Sequence, residues 1–214
     1  MSLETFKRLP EDKKSRILSV GIKAFSDKPY KDVHTDWITG ECQISKGILF
    51  HYFGSKKEYY LYCLQTAMNR LMSATESPVG NDFYGILFDS MNRKMDICMH
   101  FQDEMRMVNM ASRDAASEII REKTGILQSY KLQIHAESSS MLHAAVSCLQ
   151  LRKETDLQTL TNGLHLYINT VLNQYLLRYQ NTPDLFFENR EQIQMDIRSY
   201  LDLMLYGICE KESI

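Results

Sequence analysis

With 214 residues, 44% of them hydrophobic, the chain suits one large or two small domains built on a buried core. Its five cysteines, Cys42, Cys63, Cys98, Cys148 and Cys209, are odd in number, widely spaced and never in a CxxC pair. That pattern argues against a disulfide framework or a zinc site and for free thiols in a reducing compartment. No stretch approaches the about 20 apolar residues of a membrane span, and the opening MSLETFKRLPEDKKSR lacks a signal-peptide core, so a soluble cytoplasmic protein with no membrane partner is expected.

The formal net charge of −2 hides an asymmetry. Residues 1–57 carry 11 Lys and Arg against 7 Asp and Glu, a balance of +4, whereas the remainder carries 14 against 20, or −6. Phosphate neutralisation depends on local charge, so the N-terminal region is the part suited to a polyanion.

In chain order, Ile17, Leu18, Gly21, Ile22 and Phe25 recur at spacings of three and four and predict a helix over 11–26, with Pro10 near its start. Residues 33–58, VHTDWITGECQISKGILFHYFGSKKE, read as a helix-turn-helix. About two turns run from Thr35 to Cys42, a polar turn follows, and a second short helix over 45–52 opens at Ser45 and carries Lys46, His51 and Tyr52, with the shape and polarity of a probe for the major groove. Gly54 ends it. Ser55 and Glu58 then form a capping-box pattern, in which the hydroxyl accepts from the backbone three residues on and the carboxylate reaches back, and this starts a helix over 55–76. Further helices are expected over 82–101, 103–112, 115–150, 155–180 and 189–210, with Pro29, Pro78 and Pro183 falling in the breaks. Strand-like alternation is absent, so the fold class is all-α.

The first three helices have a core of their own in Ile17, Leu18, Ile22, Phe25, Val33, Ile38, Cys42, Ile44, Leu49 and Phe53. Outward on the third remain Ser45, Lys46, Gly47, Ile48, Phe50, His51 and Tyr52, which join hydrogen-bonding groups to apolar ones able to touch a thymine methyl. Trp37 sits beside this surface. In 155–180 a stripe of Leu157, Leu160, Leu164, Ile168, Val171 and Tyr175 is widened by Tyr167, Leu172, Leu176 and Tyr179. The last helix offers Ile193, Ile197, Tyr200, Leu201, Met204 and Ile208. Helices apolar over more than half their circumference need two partners. The second is read as the same pair from another subunit, which makes Leu164, Ile168, Val171, Tyr175, Ile197, Leu201 and Met204 the expected interface of a homodimer.

Catalytic chemistry finds no support. The chain has no glycine-rich phosphate loop, no GxSxG elbow and no HxxxH or ExxH spacing, so no catalytic residue, metal or cofactor is assigned. His135, Glu137 and His143 come nearest to a cluster, but Glu137 points away from both histidines on a helix.

Over residues 14–62 the chain resembles the TetR/AcrR transcriptional regulators. The likeness rests on Ala24-Phe25, Tyr30, Val33-x-Thr35, Ile38, Ile44-Ser45-Lys46-Gly47, Leu49-Phe50-His51-Tyr52-Phe53 and Ser55-Lys56-x-Glu58. Beyond residue 62 only length and helical layout fit, with a late Tyr200-Leu201-x-x-Met204 run. The resemblance implies a helix-turn-helix DNA-binding domain over 1–54 and a ligand-binding and dimerisation domain over 55–214. It implies a ligand-responsive repressor that binds a near-palindromic, double-stranded operator as a dimer and is released by a small apolar or amphipathic effector. By the same resemblance Thr35 and Lys56 bind phosphate, Tyr52 and His51 touch backbone and base edges, and Lys46 reads bases. Gln43 replaces the usual turn glycine, at about 1 kcal/mol if a positive φ is required. Thr39 replaces an alanine, and Phe50 a tyrosine. For the effector, Met91, Met95 and Met99 at i, i+4 and i+8, with Phe88 nearby and Met110 shortly after, offer adaptable apolar side chains. The competing reading is a helical partner-binding protein with a vestigial helix-turn-helix.

Overall fold

A computed structural model describes residues 3–73, 80–179 and 182–205. Among them every regular element is helical: α1 (Leu3–Lys7), α2 (Glu11–Asp27), a single 3-10 turn (Tyr30–Asp32), α3 (Thr35–Cys42), α4 (Lys46–Phe53), α5 (Lys56–Ser73), α6 (Phe83–His100), α7 (Gln102–Arg113), α8 (Ile120–Val146), α9 (Leu157–Arg178), α10 (Pro183–Glu188) and α11 (Arg190–Leu205). The all-α expectation is met, and the helices from 11–26 onward fall close to their expected bounds. The short α1, the 3-10 turn and α10 are additional. Pro78, Ile208 and Cys209 lie outside the described residues.

Packing divides the chain into two compact units, one of residues 1–75 and 100–131, the other of 76–99 and 132–214. In the first, α2 to α5 pack with α7 and the N-terminal part of α8. All the expected core residues of the helix-turn-helix are buried except Ile44, which packs against the core partly exposed. Phe6 of α1 adds an anchor that the sequence reading lacks. It is fully buried, with its ring 5.8 Å from Tyr52, 4.8 Å from Phe53 and 5.7 Å from Tyr62. α5 is locked to α2 by the buried Tyr59 hydroxyl, which donates to the Ile17 carbonyl at 2.6 Å. The phenol reaches it over Gly21, where a Cβ would stand 2.2 Å from the Tyr59 hydroxyl oxygen and 2.7 Å from Cys63 Sγ.

The end of α7 is tied back to the 3-10 turn. The Asp114 carboxylate accepts from the Tyr30 N–H at 2.6 Å and the Ala116 N–H at 2.9 Å. Buried Lys123 of α8 closes the same corner, donating to the Ala111 and Asp114 carbonyls at 2.6 and 2.5 Å and so satisfying helix-end acceptors of α7. Arg70 of α5 pairs with the largely buried Glu104 of α7 at 2.7 Å.

In the second unit Leu160, Leu164, Ile168, Val171 and Tyr175 of α9 join Ile193, Ile197, Leu201 and Leu205 of α11 in one buried cluster, together with Leu87, Met91 and Met95 of α6. This corrects the expected dimer interface. Leu164, Ile168, Val171, Tyr175, Ile197 and Leu201 are buried inside the subunit, with Met204 packed partly exposed against them. A helix stripe is equally satisfied by a neighbour in the same chain, and here the neighbour is internal. The Tyr175 hydroxyl donates to Asp196 across α9 and α11, and the Tyr84 hydroxyl of α6 to Asp202 of α11. Apolar residues left in solvent lie on the opposite faces: Leu166 and Leu177 of α9, 70% and 67% exposed, and Leu203 of α11, 72% exposed.

Gly21→Ala is expected to destabilise the protein by about 2–4 kcal/mol through overpacking and loss of the buried phenol bond. Gly40→Ala in α3, where a Cβ meets nothing within 4 Å, should instead stabilise by up to about 1 kcal/mol. Urea unfolding of the two variants checks the pair, and a Gly21→Ala protein as stable as wild type would refute the packing argument.

Candidate nucleic-acid interface

The turn between α3 and α4 decides where α4 points. Gln43 holds it in the left-handed region, φ 54° and ψ 43°, and is the one non-glycine described residue with positive φ. The N–H groups of Gln43 and Ile44 return to the Gly40 and Thr39 carbonyls at 3.1 and 3.0 Å, closing α3. Ser45 then caps α4, its hydroxyl accepting from the Ile48 N–H at 3.2 Å. Across Gly54 the same device starts α5: Ser55 accepts from the Glu58 N–H at 3.1 Å, which is the first bond of the capping box.

On α4 the side chains Lys46, Ile48 and His51 are exposed, and Gly47 lies open, a Cβ there meeting only Ser45 Oγ at 3.8 Å. Lys46 stands at the first residue of the helix rather than mid-helix. Its ammonium rests 3.0 Å from the Asp36 carboxylate of α3, an exposed pair of little energetic weight that DNA phosphate or a base edge can replace. Tyr52, expected outward, is only 8% exposed. The reason is α1: Phe6 covers the side of α4 that the ring occupies. Phe50 is half-buried.

Two helix N-termini flank this face. Thr35 is the first residue of α3 and is itself 6% exposed, while His34 before it makes no side-chain cap. The first-turn N–H groups of α3 are therefore left without a capping side chain, and the helix dipole favours an anion there. Lys56 is the first residue of α5, with its ammonium 4.5 Å above the Tyr30 ring and 3.4 Å from the Lys31 carbonyl. Desolvation lowers its pKa, opposed by the charges of Asp32, Glu118 and Asp114. Neighbouring Lys57 is paired to Glu122 of α8 at 2.6 Å. Trp37, 48% exposed, borders a cleft of about 250 Å³ with Ala24, Asp27, Lys28, Asp32, Val33 and His34.

Three contributors escape a sequence reading. Asp36 holds Lys46 from ten residues away, Tyr30 seats Lys56, and Asp114 fixes Tyr30 across 84 positions. Only Asp36 leaves a usable trace, an acid in the first turn of α3.

The expected effector residues do not form one wall. Met91 and Met95 are buried in the core of the second unit and Phe88 packs partly buried against it. Met99 is exposed beside Arg190, and Met110 belongs to the first unit. Positions i, i+4 and i+8 drift by about 40° per step, which turns Met99 out of the core. Among the described residues no group of three or more His, Cys, Asp or Glu side chains is placed to hold a metal ion, and no helix is long and apolar enough to cross a membrane.

Residues 17–62 match the family model of the bacterial regulatory proteins, tetR family. Among solved structures, the chain is similar to a TetR family transcriptional regulator from Chloroflexus aurantiacus, with 21% identity and TM-score 0.56 over 97% of this chain and 98% of that one. It is similar to a tetR-family transcriptional regulator from Streptomyces coelicolor, with 15% identity and TM-score 0.62 over 96% and 86%. The TetR regulator TylP from Streptomyces fradiae aligns with 11% identity and TM-score 0.58 over 94% and 88%. At such identities these are likenesses of fold. No curated protein sequence matches the chain.

Gln43→Gly should stabilise the protein by about 1 kcal/mol, because glycine adopts the left-handed turn without a Cβ penalty. The melting temperature should rise by about 2–4 °C, and a fall would show that the Gln43 side chain contributes more than its backbone strain costs.

Proposed function

We propose that this member of the TetR family of transcriptional regulators is a repressor that binds a near-palindromic operator as a homodimer and leaves it when a small amphipathic molecule occupies the C-terminal unit. The observation that carries the reading is the solvent face of α4. Lys46, Gly47, Ile48 and His51 are free of the core, on a helix fixed at both ends by Ser45 and Gly54. In this reading Thr35, the Ser45 hydroxyl and Lys56 hold phosphates. Lys46 and His51 address base edges, and the open backbone at Gly47 with the Ile48 side chain meets the groove floor. Tyr52 serves from within, bracing α4 against Phe6. The net +4 of residues 1–57 against −6 elsewhere fits a protein that meets DNA with one end only.

The dimer is assigned to the faces of α9 and α11 that remain apolar and exposed. Leu166, Asn173 and Leu177 lie within about 40° of one another on α9, opposite the buried stripe, and Met195, Ser199 and Leu203 span about 80° on α11, opposite its buried side. A second copy of the same pair fits them, since a two-fold axis matches a face to itself. Leu166→Glu with Leu203→Glu should turn dimer into folded monomer in analytical ultracentrifugation, both positions being in solvent within the subunit. Wild type sedimenting as a monomer at micromolar concentration would refute the assignment.

Fluorescence anisotropy with genomic fragments, then with the operator and a scrambled duplex over a salt series, tests DNA recognition. Lys56→Ala should weaken binding to both duplexes alike and reduce the salt slope by about one unit. Lys46→Ala should cost about 1–3 kcal/mol on the operator alone and relax one base pair in each half-site. Equal losses on both duplexes would remove Lys46 from base readout. No binding at low salt would favour the helical partner-binding protein with a vestigial helix-turn-helix.

A further inference from the structure

Within the second unit α6, α8 and α9 bring basic and hydroxyl side chains together without an acid among them. Lys94 of α6 is partly buried, and among the described residues no carboxylate stands within ion-pair distance of it. Its ammonium donates to Ser138 Oγ of α8 at 3.2 Å. One turn before Ser138, the His135 ring meets the His165 ring of α9 edge to face, with centroids 5.0 Å apart at 87°. Desolvation, then His135, then Lys94 depress the His165 pKa, so the three basic groups share one field. Glu137 is the acid that acts on Lys94 from a distance, and its carboxylate accepts from Gln133 at 3.3 Å.

One turn before His165 on the same face of α9 is Thr161, 8% exposed, whose hydroxyl oxygen is sealed from solvent with no hydrogen-bond partner. An orphaned buried hydroxyl is destabilising, and a partly buried ammonium lacking a counter-ion more so. Both costs fall if an acceptor-only anion enters. Around these groups the same helix faces are apolar, with Met91 one turn before Lys94 and Leu142 one turn after Ser138, both buried.

We infer that Lys94, Ser138, His135 and His165, with Thr161 behind them, form the receptor for the carboxylate of a small organic acid whose hydrocarbon part faces Met91 and Leu142. The donor set fits a carboxylate, which accepts at four lone pairs and donates at none. The inference rests on the reading of the C-terminal unit as the effector-binding part and names the chemical class of the effector.

The test is a titration of the full-length protein with hexanoate, decanoate and benzoate, each against its alcohol, read by the imidazole resonances of its histidines. At least one acid should shift the His135 and His165 signals saturably while leaving His34 and His51 unmoved. Lys94→Met should weaken that acid about ten- to a hundredfold, the scale of one charge-assisted hydrogen bond, and leave the alcohol unaffected. The inference is overturned if none of the acids moves the two rings, or if Lys94→Met binds the acid as tightly as wild type. The wild-type titration decides alone should the variant fail to fold. Acid binding through Lys94 with unchanged operator affinity would leave the site standing and sink the effector reading. Release of DNA by uncharged compounds alone would do the reverse.

Discussion

The placement of α5 against α2 depends on one buried bond, the Tyr59 hydroxyl on the Ile17 carbonyl. In an α-helix that carbonyl already accepts from the N–H four residues on, which is Gly21. The phenol takes the second lone pair, and it reaches it because the same Gly21 carries no Cβ. One residue therefore supplies the first donor and leaves room for the second. Tyr59 follows Lys56 by three positions, so fixing the phenol fixes the first turn of α5 and the ammonium at its start. A phenol left unpaired at this depth would cost about 1–3 kcal/mol, and the Phe25 and Phe53 rings pack against that of Tyr59, with centroids 5.9 and 4.8 Å away.

The helix-turn-helix itself is held by turn chemistry at both ends of α4. Gln43 supplies a positive φ, Ser45 a cap, Gly54 a second positive φ at 82°, and Ser55 a second cap. Each is local, satisfied within three or four residues, and the four together set the ends of an eight-residue helix whose inner side packs on Phe6 and the core. Long-range ties come in behind: Asp114 on Tyr30, Lys123 on the α7 carbonyls and Glu122 on Lys57. The ends of α4 are thus set by short-range bonds, whereas Lys56 and Lys57 meet acids at the end of α7, in the α7–α8 connection and on α8.

That split explains what could be read from the residues alone. Caps, turn and the apolar core of α2 to α4 obey local spacing, and nearly every residue assigned to that core is buried. Spacing is silent on what packs against a face, and the structure departs from it there. Spacing alone puts Tyr52 outward because α1, five residues long with Phe6 its one buried residue, leaves almost no periodic signal. The stripe through Leu164 and Ile168 suits a second subunit as well as α11, because periodicity reports that a face is buried but is silent on which chain buries it. Met91, Met95 and Met99 make one row by spacing, yet the row winds around the helix. The Lys94, His135 and His165 cluster was invisible for the opposite reason: its members come from three helices and share no spacing at all.

The cysteines, all free among those described, give the two units separate reporters. Cys63 is fully buried, and desolvation pushes its thiol well above the ordinary range, while Cys42 is raised in the same way. Cys148, in the other unit, is exposed. A thiol reagent acts on the thiolate, so in the native protein Cys148 reacts at once while Cys42 and Cys63 wait for their helices to open. Their labelling then reports the opening of the α2–α5 packing, a probe of local unfolding wired into the sequence and read without any change to the chain.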